Sequence, residues 1–202
     1  MAQRLLPSGR RGALWALSAL SLAALTQGCS RRAAPAFTAL DITGVDYGRD
    51  FRLLDAEGRT RTIADYRGKV VLVFFGFTQC PDVCPTALVR AAEVMRLLGP
   101  QAERLQVIFV TIDPERDTAA LLREYPRAFH PSFVGLYGDA ATTEATARDF
   151  KVFYNKVPTG GSYTMDHSTI SYAFDPAGKL RLAVKHSQDA KSLADDVRRL
   201  MG

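Results

Sequence analysis

The sequence predicts a three-layer α/β domain with a mixed central sheet, and three observations point to it. Residues 70–75 (VVLVFF) and 105–112 (LQVIFVTI) are near-continuous apolar runs rich in β-branched and aromatic residues, the pattern of strands buried on both faces. Segments with apolar residues at helical spacing follow them, as crossovers between parallel strands require. Strand-forming runs also flank two Gly turns, Asp55-Ala56-Glu57-Gly58 and Asp175-Pro176-Ala177-Gly178, and predict hairpins that add antiparallel strands.

In chain order, the folded part is expected to begin near Leu40. Residues 51–54 and 60–63 form an extra N-terminal hairpin, and residues 70–75 make the central strand. After Cys84, Pro85 suits a helix start, and Leu88, Ala91, Ala92, Met95 and Leu98 recur at helical spacing until Gly99-Pro100 stops them. The strand at 105–112 closes at Asp113-Pro114, and Asp117 or Thr118 can cap a helix running to Tyr125. A short strand at 133–137, a helix around 143–150 and a loop at Gly160-Gly161 come next. Residues 169–174 and 180–184 form the second hairpin, and a last helix places Leu193, Val197 and Leu200 on one face.

The formal charge of +5 comes from the N-terminus: Arg4, Arg10, Arg11, Arg31 and Arg32 stand in residues 1–32 with no acid, leaving 21 basic and 21 acidic residues beyond. A neutral body without a basic stripe argues against nucleic acid as a partner. Residues 1–28 read as an export signal, basic residues then the apolar run 13–25 then small and polar residues. That run is short for a membrane span, which needs about 20 apolar residues. Leu25-Thr26-Gln27-Gly28-Cys29 resembles a bacterial lipoprotein signal, with Cys29 lipidated, although Thr26 stands where Leu is usual. Residues 29–39 are then a lipidated tether, and residues 40–202 the folded domain. The expected location is the bacterial cell envelope, on the periplasmic face, membrane-anchored.

Outside the cytosol thiol pairs tend towards disulfides. With Cys29 assigned to the anchor, Cys80 and Cys84 remain, following the buried strand at the mouth of a helix. Unpaired helix N–H groups and the macrodipole favour thiolates there. Three intervening residues put the sulfurs about one helical turn apart, close enough for a disulfide or for chelating one ion. Two thiolates favour Cu(I), with zinc as competitor. Of three histidines, His130 and His186 read as solvated surface residues. His167 lies between a Gly-rich loop and a strand, and the residues alone leave both a ligand and a surface role open.

Residues 75–85 (FGFTQCPDVCP), 110–118 (VTIDPERDT) and 163–168 (YTMDHS), in that order, together resemble the Sco/SenC family of cytochrome c oxidase copper-centre assembly proteins. The similarity runs from about Ile42 to the C-terminus. It implies a thioredoxin-like fold, a membrane tether, and one copper, Cu(I) or Cu(II), held by Cys80, Cys84 and His167. Members of that family help to form the dinuclear copper centre of cytochrome c oxidase subunit II, as metal donors, as thiol reductants, or both. The resemblance thus implies a metallochaperone rather than an enzyme, with subunit II, a periplasmic thiol reductant and another copper chaperone as partners. Many members have His where Gln79 stands; that residue is not a family copper ligand. Asp113 reads as a cap of the following turn, although the family places it near the copper, where it could support a ligand or dock a partner. Met165 reads as packing, and Asp166 points away from His167 in an extended chain. Rival readings of the same cysteines are a thiol-disulfide reductase, a peroxidase and a redox or copper sensor.

Overall fold

The computed structural model describes residues 37–202; the expected export signal, Cys29 and most of the tether lie outside the described residues. The strands are β1 (Leu40–Asp41), β2 (Leu53–Asp55), β3 (Thr60–Arg61), β4 (Val70–Gly76), β5 (Leu105–Thr111), β6 (Val134–Tyr137), β7 (Tyr154–Thr159), β8 (Ser162–His167), β9 (Ser171–Phe174) and β10 (Leu180–Val184). The α-helices are α1 (Val83–Leu98), α2 (Ala119–Glu124), α3 (Ala140–Asp149) and α4 (Ala190–Met201).

The main sheet runs β1-β10-β9-β4-β5-β6-β2-β3. Pairs β4–β5 and β5–β6 are parallel, whereas β9, β10, β1, β2 and β3 join antiparallel, so the sheet is mixed as expected. Every residue of β4 and of β5 is buried. Because side chains alternate faces along a strand, this requires cover on both sides, and the three layers follow. Helix α1 packs on α4, α4 also meets β4, and α2 lies on β6. Each fully buried Val, Leu, Ile or Phe contributes about 1.5–3 kcal/mol, so the central strands are the rigid frame to which the site is attached. Among the described residues no helix is long and apolar enough to cross a membrane.

Three local readings change. The expected loop at Gly160-Gly161 is the turn of a β-hairpin: β7 and β8 pair antiparallel from Tyr154↔His167 to Thr159↔Ser162, with both glycines at positive φ. Most of its residues are exposed or half-buried and Pro158 stands within β7, so no apolar run announces either strand in the sequence. Helix α3 starts at Ala140 rather than Thr143, because the Asp139 carboxylate accepts the Thr142 N–H at 2.7 Å. At α2, Thr118 is the cap, and Asp117 turns inward instead.

Candidate metal centre

Strand β4 delivers the chain to the site, and the loop behind it is tied down from below. Asp117, 2% exposed, accepts the Thr78 N–H at 3.0 Å and hydroxyls from Thr78 and Thr111, each at 2.6 Å. Burial raises its pKa. Sequence reading assigned Asp117 only a capping role; its function as the floor of the cysteine loop depends on a contact 39 residues away in sequence.

Cys80 is half-buried in the loop, and Cys84 is completely buried in the first turn of α1. The Cys84 N–H donates to Cys80 Sγ at 3.4 Å, so that sulfur takes the place of a helix cap. The hydrogen bond from the Cys84 thiol holds the Cys80 thiol down at about 5; burial opposes this, and the backbone N–H groups of Asp82 and Cys84 and the ring of His167 add to it. Cys84 is pushed strongly up, first by its hydrogen bond to Cys80 and then by burial. The metal-free pair therefore shares one proton, held on the inner sulfur. A soft cation placed between the sulfurs would replace it.

His167 ends β8. Its Nε2 lies 3.6 Å from Cys84 Sγ, while Nδ1 is 2.8 Å from the carbonyl oxygen of Ser168. A carbonyl can only accept, so Nδ1 donates to it, and the nitrogen left to face the sulfurs is Nε2, whose lone pair the neutral ring would offer to a metal. Phe74 and Phe77 pack edge-on against the imidazole, at 6.2 and 5.9 Å between centroids. One donor atom from each of Cys80, Cys84 and His167 lies within 4.8 Å of the others. Two soft sulfurs, a nitrogen and a half-open outer edge suit one thiophilic ion of low coordination number.

Gly76, the last residue of β4, makes room for this arrangement. A Cβ there would stand 2.7 Å from Cys84 Sγ, 2.9 Å from Phe109 Cε2 and 3.0 Å from Phe74 Cε1. Sequence reading passed over it, although a lone glycine closing a β-branched strand often marks a close approach. Gly76→Ala is expected to cost about 1–3 kcal/mol of stability through overpacking and to displace the Cys84 sulfur. Metal titration beside urea unfolding checks this; unchanged metal affinity would show that the sulfur has slack.

Asp113 does more than close a turn. Its backbone carbonyl accepts N–H groups from Arg116 and Asp117, as expected, but its buried carboxylate also accepts the Tyr163 hydroxyl at 2.8 Å and pairs with Arg116. It is outside the three-donor group. His130 bonds Ser132 at 2.8 Å, away from the site. His186, expected to be solvated, is half-buried with no partner for Nδ1 among the described residues, and Arg90 donates to the backbone carbonyls of Lys185, His186 and Gln188 around it. Met165 is buried and Asp166 exposed, as alternation along β8 demands.

A family model described as SCO1/SenC matches residues 41–202. "Protein SCO2 homolog, mitochondrial" of Bos taurus is 40% identical over 156 residues, covering 75% of this chain and 59% of that protein, so the match spans about three fifths of the relative's length. A "SCO2-like protein" of Rickettsia felis is 39% identical over 138 residues, 67% of each chain. Among solved structures, Bradyrhizobium japonicum ScoI with copper bound superposes with a TM-score of 0.68 at 39% identity, over 74% of this chain and 96% of that one.

Proposed function

The chain belongs to the SCO1/SenC family, and from that premise we propose that it is a copper chaperone for the dinuclear centre of cytochrome c oxidase subunit II, with one copper held by Cys80, Cys84 and His167. The observation that carries this reading is the convergence of three donor atoms within 4.8 Å from a loop, a helix mouth and a hairpin. Copper is cargo here, so it must be held without being enclosed. Cys84 sits at the buried back of the site and Cys80 at its half-buried edge. An acceptor's ligands can therefore replace Cys80 first and the inner sulfur last. Binding requires both sulfurs deprotonated and the ring neutral, so affinity falls as pH falls.

The test is transfer. The reduced, copper-loaded chain, mixed with the metal-free reduced copper domain of subunit II and then separated from it, should have passed its metal on: its own copper falls from one per chain as the acceptor's rises by the same amount. If the acceptor gains no copper from the chain while free copper salts load it, the donor role fails.

A second reading is favoured by one observation, the unequal thiols. Cys80, acidic and half-buried, is suited to attack a subunit disulfide; Cys84, buried behind it, would then attack the mixed disulfide. The target leaves as a dithiol, Cys80–Cys84 becomes the disulfide, and a periplasmic thiol reductant restores it. The N-terminal pattern supports anchoring as a lipoprotein at the periplasmic face of the envelope. Mass spectrometry of the native protein should find acyl-Cys29 at the N-terminus; an intact Met1 would remove the anchor from the proposal.

A further inference from the structure

Among the described residues the β7–β8 hairpin pairs with no strand of the main sheet. It nevertheless supplies His167, so something other than a ladder must hold it in place. At its base, Ser168 N–H donates to the Phe153 carbonyl at 2.9 Å and Phe153 N–H to Ser168 Oγ at 3.0 Å. Along its length the contacts converge on one side chain in the turn after β5. Arg116 Nη1 donates to the Tyr163 carbonyl at 2.7 Å and to Gln79 Oε1 at 3.3 Å. Its guanidinium lies 3.6 Å over the Tyr163 ring and 5.8 Å from the ring of Phe77, which itself packs on His167. Nε is neutralised by Asp113, whose other oxygen accepts the Tyr163 hydroxyl.

We propose that Arg116 is a positioning residue for the metal: by gripping Tyr163 of the hairpin and Gln79 beside Cys80 at once, it sets the place of His167 relative to the two sulfurs. The inference rests on the reading of His167 as a ligand. Tyr163, Met165 and His167 alternate onto one face of β8, so anchoring Tyr163 orients the imidazole four residues on. Lys156 covers the Tyr163 ring at 4.8 Å and pairs with Glu115 at 2.6 Å, which closes the clamp from outside. Only 16% of the Arg116 side chain is exposed, and Nη2 is buried without a partner among the described residues. A planar fork with several donors can bridge these acceptors, whereas an ammonium cannot reproduce that geometry.

The experiment measures Cu(I) affinity of the full reduced chain by competition with a chromophoric chelator, for Arg116→Ala, Arg116→Lys and Tyr163→Phe, each with His167 present and in a His167→Ala background. With His167 present, both Arg116 variants should lose about tenfold or more in affinity, as removal of a ligand's support does. In the His167→Ala background the same changes should cost nothing further. Equal losses in both backgrounds, or none with His167 present, would overturn the proposal. Tyr163→Phe removes one hydroxyl from the clamp and keeps the ring, so it serves where an Arg116 variant does not fold; it should shift the Cu(II) absorption spectrum only when His167 is present, and a shift in both backgrounds counts against the proposal. If His167→Ala alone leaves Cu(I) affinity unchanged, the ligand reading falls and this proposal with it; if His167→Ala weakens binding and the Arg116 losses are additive, only the positioning role falls.

Discussion

His167→Ala is expected to lower copper affinity on the order of a hundredfold or more, at or beyond the upper end of what loss of a ligand's supporting partner costs, and to leave Cys80 and Cys84 able to cycle between dithiol and disulfide. The imidazole presents a bare nitrogen 3.6 Å from the inner sulfur, and its removal leaves a two-sulfur site. Thiol exchange needs the acidic, half-buried Cys80 and the resolving thiol behind it, and the His167 ring adds less to that acidity than the Cys84 thiol and the backbone N–H groups of Asp82 and Cys84 do. His167 is thus the residue that separates metal delivery from reduction. A deletion strain complemented with each variant at limiting copper should recover oxidase activity with the wild-type chain and fail with His167→Ala. An in vitro exchange assay should meanwhile show nearly unchanged turnover for the variant. Full rescue by His167→Ala beside failure of Cys80→Ser would replace the metallochaperone reading with the reductase.

Oxidation is expected to have an effect of similar size on metal content. The reduced chain should carry about one copper, and the Cys80–Cys84 disulfide form almost none, since a thiolate and not a disulfide sulfur is the metal ligand. Both cysteines are free in this structure, and the inner N–H already points at the outer sulfur, so the loop can present both sulfurs to one ion. Metal analysis of the two forms, with the free thiols counted, measures the difference. Equal copper in both would place the ligands elsewhere. Restoring the thiols should restore binding, because reduction returns both sulfurs as donors.

Much of this molecule was readable along the chain. Strands β4 and β5 declare themselves because a strand buried on both faces must be apolar throughout. Helix α1 does so because Leu88, Ala91, Met95 and Leu98 share one stripe. The cysteine pair is legible for a local reason too: a spacing of four at a helix mouth lets the two sulfurs approach each other. The β7–β8 hairpin was not legible. Its residues are mostly exposed or half-buried, and Arg116, Asp113 and Glu115, elsewhere in the chain, hold its outer part. Gly76 matters because the Cys84 sulfur and the Phe109 ring lie where its side chain would be, and Asp117 because Thr78 folds back above it. Period and spacing are properties of neighbours in sequence, so the sequence by itself determined the layered α/β frame and the paired thiols. Bringing His167 to Cys84, 83 residues before it, required the order of strands in the sheet and a clamp on the hairpin. Those are distances across the fold, and only tertiary packing decides them.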